Sequence, residues 1–191
     1  MRRLPTLKIA MISIRILLWI VTLCVLAGAS VTDLRWRRIP NKASAMVAVT
    51  GLAIALVSRP GSLWIGLMVS LAVLLVLALA SHFAVIGGGD AKMIPAVALL
   101  VPPESVLTLL LAIALAGGLL SATYLGLRYW LRAARPEPPS RDGRLSRFLR
   151  HERARILSSC TVPYGIAIFG GAIAYVISEL PQCSSATSCL L

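Results

Sequence analysis

The sequence contains only seven acidic residues, and two of them, Asp33 and Asp90, stand at the ends of long apolar segments. Two carboxyls held side by side cannot both ionise easily, so one keeps a proton while the other stays charged. Such a dyad can hydrolyse a peptide, because the carboxylate takes a proton from water while the acid polarises the scissile carbonyl. The other acids have ordinary positions as loop charges or at the opposite ends of apolar segments: Glu104, Glu137, Asp142, Glu152 and Glu179. Asp33 and Asp90 are therefore the candidate catalytic residues.

Other catalytic chemistries have weaker support in the sequence. His151-Glu152 begins like a zinc-binding helix, but Arg155 stands where the second histidine should be. His82 near the end of an apolar segment is better explained as a polar group at an interface than as a base. The cysteines form no close pair of the kind that binds metal: Cys24, Cys160, Cys183 and Cys189. We therefore expect no metal and no cofactor. The last two cysteines could pair in an oxidising compartment or stay free.

The neighbours of each candidate acid also allow a plainer interpretation. Asp90 follows Gly87-Gly88-Gly89, a run that we expect not to form a stable helix and that lets a backbone or substrate approach closely. Asp90 could instead simply cap the following helix, with Lys92 as its ion-pair partner. Asp33 could be a charge that neighbouring arginines neutralise. Each acid taken alone leaves these alternatives open.

The composition predicts an integral membrane protein. Hydrophobic residues make up 58% of the 191 residues, charged residues only 14%, and the mean hydropathy is +0.87. We expect a single all-α polytopic domain over residues 1–191, because the charge-free segments are long enough for membrane helices. Six spans are predicted, the fourth too short for a full crossing, at about residues 9–32, 43–58, 62–86, 91–102, 105–127 and 162–178. Ionisable residues at the ends of such spans are costly and usually functional.

The net charge of +12 indicates orientation rather than nucleic-acid binding, since aromatic residues are only 6% of the chain. Connections after the first, third and fifth spans hold 14 Lys and Arg residues, against five on the other side. The basic connection at residues 128–160 is therefore predicted to be cytoplasmic, and both termini periplasmic. Met1-Arg2-Arg3 before an apolar run is also typical of a signal peptide, which would favour the reverse local orientation. We expect the global bias to prevail and the segment to be retained.

Three segments in order resemble the type IV prepilin peptidases, which are membrane aspartyl proteases with a Gly-x-Gly-Asp motif. They are Asp33 with Arg37-Arg38-Ile39-Pro40-Asn41, then Gly87-Gly88-Gly89-Asp90-Ala91-Lys92, then Val162-Pro163-Tyr164-Gly165-Ile166-Ala167. The similarity covers most of the chain and is closest to the small form that serves tight-adherence pili. Larger members carry a cysteine-bearing cytoplasmic domain between the first two spans and also methylate the new N-terminus. That connection is short here and has no cysteine, so methyltransfer is doubtful.

The resemblance implies an aspartic endopeptidase of the bacterial inner membrane that removes the short basic leader of a prepilin or pseudopilin precursor at the cytoplasmic face. It implies Asp33 and Asp90 as the catalytic pair and Gly87 and Gly89 as the glycines that shape the approach of the substrate. Lys92 is expected to be a local electrostatic partner. A different class, a small proton- or cation-coupled transporter or a structural membrane subunit, would also use paired carboxyls. The order of the motifs and their cytoplasmic placement favour the protease.

Overall fold

The computed structural model describes residues 4–133 and 163–186, which form six α-helices and no strand. Two 3-10 turns, Pro60–Ser62 and Pro103–Ser105, precede the third and fifth helices. The all-helical class predicted from the sequence is confirmed for these residues. The helices are α1 (Leu4–Trp36), α2 (Asn41–Ser58), α3 (Leu63–His82), α4 (Gly88–Ala98), α5 (Val106–Ala133) and α6 (Tyr164–Ala186).

Four helical segments are long and apolar enough to cross a membrane: Ser13–Trp36, Asn41–Ser58, Pro60–His82 and Pro103–Trp130. α4 has 11 residues, and the apolar part of α6, Tyr164–Ser178, is also short. At a rise of about 1.5 Å per residue, α4 covers roughly half of a bilayer's hydrocarbon core. Helices therefore occur at all six predicted positions, and four of them qualify as spans by length and composition.

The chain divides into two compact units, residues 1–116 with 163–191 and residues 117–162. In the first unit, α4 packs against α2, α3 and α6, while α1 packs against α2 and α6. α4 is the most deeply buried helix, with seven consecutive or near-consecutive buried residues: Ala91, Met93, Ile94, Pro95, Ala96, Val97 and Ala98. By contrast, α3 buries only Ser70 and exposes apolar side chains along its length. Such an exposed apolar surface is what a lipid-facing helix requires.

α4 is fixed in the unit by close contacts with its neighbours. A Cβ atom placed on Gly51 of α2 would lie 2.9 Å from the Leu99 Cβ, so the two helices meet where glycine leaves room. The Ser70 hydroxyl of α3 donates a hydrogen bond to the Pro95 carbonyl at 2.8 Å. Beyond the C-terminal end of α4, the Arg59 guanidinium donates to the Leu99 carbonyl at 3.2 Å. These contacts hold the helix whose first turn carries Asp90.

The third helix ends at His82, earlier than the predicted boundary at residue 86. The Val85 N–H donates to the Ala80 carbonyl and the Ala84 N–H to the Ser81 carbonyl, both at 3.0 Å. Ala84 has φ 56°, so this is a Schellman ending with alanine at the position that usually takes glycine. The prediction was wrong here because an absence of charge does not reveal a helix end that the backbone itself sets.

The glycine run before Asp90 was expected to be non-helical, and for two of its glycines this was wrong. Gly87 is extended, with φ −64° and ψ 137°, and acts as the N-cap residue of α4. Gly88 and Gly89 form the first turn, which closes when the Ala91 N–H donates to the Gly87 carbonyl at 3.0 Å. Asp90 therefore lies inside the first turn of α4, where a carboxyl faces the positive end of the helix dipole.

The fifth helix continues to Ala133, past the predicted boundary at residue 127. The basic connection predicted at residues 128–160 therefore begins with helical residues, because nothing breaks the helix before Pro136. Residues 134–162 lie outside the described residues, as do Met1-Arg2-Arg3 and Cys189. The predicted cytoplasmic loop, the N-terminal processing and the pairing of Cys183 with Cys189 therefore stay predictions.

Candidate active site

Asp33 lies near the C-terminal end of α1 and is 7% exposed. Its Oδ2 accepts a hydrogen bond from the Gly165 N–H at 2.8 Å. Gly165 is the second residue of α6, and this helix begins directly after the buried Pro163. Proline suits the start of a helix because its φ is already helical and its missing N–H is not needed there. A hydrogen bond thus joins Asp33, one of the two acids predicted to be catalytic, to the first turn of α6, which is distant in the sequence.

Gly165 is held by a second residue of α1. The Ser30 hydroxyl, buried like Asp33, lies 2.9 Å from the Gly165 carbonyl and 2.8 Å from the Leu26 carbonyl, and donates toward them. A Cβ atom on Gly165 would lie 3.1 Å from both the Cβ and Oδ2 of Asp33, tighter than ordinary contacts. Sequence reasoning noted this glycine only as part of a motif and gave it no role. The signal that could have found it is a glycine two residues after a proline at a helix start.

The position of the Asp90 carboxyl also requires a glycine beside it, Gly87. A Cβ atom on Gly87 would lie 2.9 Å from Asp90 Oδ2, so any other residue would displace the carboxyl or the backbone. Gly89 serves a different purpose, since a Cβ atom there would lie 3.0 Å from the Ile39 Cβ. Gly87 thus leaves room for the Asp90 carboxyl and Gly89 for Ile39 in the α1–α2 connection, while their predicted role in the approach of a substrate stays a prediction.

The connection between α1 and α2 lies against the first turn of α4. The Arg37 N–H donates to the Asp33 carbonyl at 2.8 Å, and Arg37 has φ 53°, a left-handed conformation that ends α1. Two residues later, Ile39 meets Gly89. The Lys92 ammonium donates to Asn41 Oδ1 at 3.3 Å. The segment that follows Asp33 is therefore joined to the segment that carries Asp90.

Lys92 was predicted to be a local electrostatic partner of Asp90, and its side chain takes another partner. It is exposed and bonds to Asn41 at the start of α2, and among the described residues no salt bridge joins it to Asp90. The plainer interpretation, in which Lys92 neutralises Asp90, thus has no support in the described contacts. Lys92 instead links α4 to the connection beyond α1.

The two acids are close enough to interact. Asp90 lies at the start of α4, outside the four candidate spans, and its pKa is raised to about 6. Burial is the main cause, because it penalises the charged form, and the negative charge of Asp33 raises the pKa further. The Tyr164 hydroxyl also interacts electrostatically with Asp90. α1, α4 and α6 therefore bring one buried carboxyl, one carboxyl with a raised pKa and one phenol to the same place.

Interacting carboxyls are a kind of group that can activate a water molecule without a nucleophilic side chain. Among the described residues, no group of three or more His, Cys, Asp or Glu side chains could bind a metal ion. Cys24 is a free and exposed cysteine. Asp33 and Asp90, whose charges interact, are therefore the candidate catalytic group in the described part of the chain.

Comparison with known protein families gives one match. The model of the type IV leader peptidase family matches residues 20–122, more than half of the chain. The matched part includes Asp33 and Asp90 and the segments that follow and precede them, and ends before Gly165. No curated protein and no solved structure matches the chain.

Proposed function

Since this chain belongs to the type IV leader peptidase family, we propose that it is an aspartic endopeptidase that removes the leader of type IV prepilin-like or pseudopilin precursors. One observation carries the proposal. Two carboxyls, 57 positions apart in the sequence, interact closely enough for Asp33 to raise the pKa of Asp90. Both lie inside the segment that matches the family, and the family's activity is peptide hydrolysis.

The proposed reaction needs only the two carboxyls and water. The ionised carboxyl takes a proton from water as the water oxygen bonds to the scissile carbonyl carbon. The protonated carboxyl gives its proton to the carbonyl oxygen, and a tetrahedral intermediate forms. The C–N bond then breaks as one carboxyl gives its proton to the leaving amine and the other takes a proton from a hydroxyl of the intermediate. A carboxyl terminus remains on the leader, and the dyad again holds one proton. The raised pKa of Asp90 supports Asp90 as the residue that holds the proton at the start.

The proposal extends to the side of the membrane. The end of α1, the connection after it and the start of α2 carry the exposed basic residues Arg35, Arg38 and Lys42, which follow Asp33 in the sequence. Basic residues are retained on the cytoplasmic side during insertion, so this end of the helices is proposed to face the cytoplasm of the inner membrane. A precursor whose basic leader stays in the cytoplasm while its apolar helix enters the bilayer would present its cleavage site at that level. The six-span arrangement with periplasmic termini is part of the same proposal.

Co-expression with a prepilin-like precursor tests the function. We expect the parent protein to shorten the precursor on a gel, while Asp33→Asn and Asp90→Asn each reduce cleavage by about 1000-fold or more, as loss of a catalytic dyad member does. Immunoblots of the membrane fraction should show equal insertion of all variants. Glu104→Gln, which removes an exposed acid outside the site, is the matched control and should cleave like the parent.

The competing class, a proton- or cation-coupled transporter or a structural subunit, would use the same carboxyl pair, and the family match is what favours the peptidase. An inserted parent protein that cleaves no precursor would contradict the peptidase. An Asp33→Asn or Asp90→Asn variant that keeps full cleavage would contradict the dyad.

A further inference from the structure

Two side chains of α1 form hydrogen bonds with the backbone of Gly165, one with its N–H and the other with its carbonyl oxygen. Its N–H donates to Asp33 Oδ2 at 2.8 Å, and its carbonyl lies 2.9 Å from the Ser30 hydroxyl. Ser30 and Asp33 are three residues apart on one helix and thus face the same direction. All three residues are buried, so the contacts are made away from solvent.

We propose that Gly165 and Ser30 position Asp33 for catalysis by fixing which carboxyl oxygen faces the reacting water. This proposal rests on the proposed leader peptidase function. Oδ2 accepts the hydrogen bond from the Gly165 amide, which leaves Oδ1 as the oxygen that accepts the proton of water. Gly165 and Ser30 touch no substrate atom in this account and act only through Asp33.

The contact uses one of the two oxygens of the Asp33 carboxyl. An amide N–H can only donate, so Gly165 occupies Oδ2 and holds the carboxyl in one orientation. Gly165 also lies in the first turn of α6, the positive end of that helix. The contact therefore fixes the carboxyl of Asp33 relative to α6.

The shape of the contact explains why the residue is glycine. A methyl group at position 165 would lie 3.1 Å from Oδ2 and from the Cβ of Asp33, and 3.4 Å from its Cγ. Either the carboxyl or α6 must move by a few tenths of an ångström to admit it. Such a displacement lies on the path of proton transfer, where misplacement by about 1 Å can cost 100-fold in rate.

The experiment compares Gly165→Ala with Gly170→Ala on the same helix. A Cβ atom at Gly170 would meet the Ala116 Cβ at 3.9 Å, an ordinary contact, so this variant controls for a methyl group added to α6. Full-length variants in detergent or liposomes are assayed for cleavage of a synthetic leader peptide. We expect Gly165→Ala to lower kcat by about 10-fold, since the shift is smaller than 1 Å, with KM unchanged within about twofold. Gly170→Ala should match the parent.

The split between kcat and KM separates positioning from general damage. A misplaced Asp33 slows the chemical step and leaves substrate binding unchanged, so the loss should appear in kcat alone at an equal amount of inserted protein. A loss that appears mainly as a higher KM, or a parent-like kcat, would overturn the proposal.

If Gly165→Ala does not insert into the membrane, Ser30→Ala is the variant that tests the proposal. It removes the donor to the Gly165 carbonyl without adding atoms, and we expect a smaller fall in kcat with KM again unchanged. Ser178→Ala, which removes a hydroxyl that bonds to the Tyr175 carbonyl, is its control. If Ser30→Ala cleaves like the parent, the positioning role is wrong. If Asp33→Asn still cleaves, the proposed function itself fails.

Discussion

Asp33 and Asp90 are the same residue type in different surroundings. Asp33 accepts a backbone N–H and is almost completely buried in the described structure. Asp90 lies in the first turn of α4 under a glycine N-cap, and its pKa is raised to about 6 by burial and by Asp33. Environments that separate two carboxyls in this way are how enzymes assign an acid and a base.

The raised pKa of Asp90 predicts how cleavage depends on pH. Burial favours the neutral carboxyl, so the proton is retained up to about pH 6 and lost above it. If Asp90 acts as the acid, kcat should fall as pH rises through that value, by up to about tenfold per pH unit. Cleavage of a leader peptide by the purified protein from about pH 4 to about pH 9 measures this.

Asp33→Asn provides a control for the cause of that pKa. It removes the negative charge that repels the ionised form, so the pKa of Asp90 should fall. Infrared titration of the Asp90 carboxyl in the inactive variant would detect the change. An unchanged titration would contradict the influence of Asp33 on the pKa of Asp90. A parent rate that declines only above about pH 8 would show that Asp90 is not the acid.

At the scale of helices, glycine sets how closely elements approach. A Cβ atom on Gly171 of α6 would lie 2.6 to 2.8 Å from atoms of Ile113 on α5, including its backbone. A backbone neighbour cannot rotate away, so the two helices would have to separate. We expect Gly171→Ala to lower the free energy of unfolding by about 3 kcal/mol, at the upper end of overpacking costs.

Gly28→Ala is the matched control for that prediction, because nothing lies within 4 Å of a Cβ atom at Gly28 on α1. It should be neutral or stabilising by up to about 1 kcal/mol, since alanine favours helices. Thermal or denaturant unfolding in one detergent compares the two variants. Equal stabilities would contradict the described contact between α5 and α6.

The positions of the helices could be predicted because charged residues are rare inside membrane spans. The charged residues of this sequence therefore divide it into six apolar segments. The ends of the helices could not be predicted in the same way. Ala84, in a left-handed conformation, ends α3, and Gly88 begins α4 within a glycine run. The candidate acids followed from the scarcity of carboxyls. Gly165 had only a weak signal, a glycine two residues after a proline at a helix start, and its contact with Asp33, 132 positions away, could not be predicted from that signal.

At the scale of the molecule, the apolar surface and the basic connections predict one orientation in the membrane. Gly61, between α2 and α3, should face the periplasm, and Lys42, next to the site, should face the cytoplasm. Cysteines placed at these two positions in a variant without the native cysteines would report this. A membrane-impermeant maleimide should label Gly61→Cys in spheroplasts and Lys42→Cys only after permeabilisation. The reverse pattern would contradict a cytoplasmic site.

The central claim is that Asp33 and Asp90 together are sufficient for peptide hydrolysis. The most direct measurement is cleavage of a synthetic leader peptide by the purified protein in liposomes, with a metal chelator present and no cofactor added. We predict one cut before the apolar segment of the peptide, undiminished by the chelator and lost in both Asp33→Asn and Asp90→Asn. Cleavage that needs an added metal, or that survives either substitution in an inserted protein, would contradict the account.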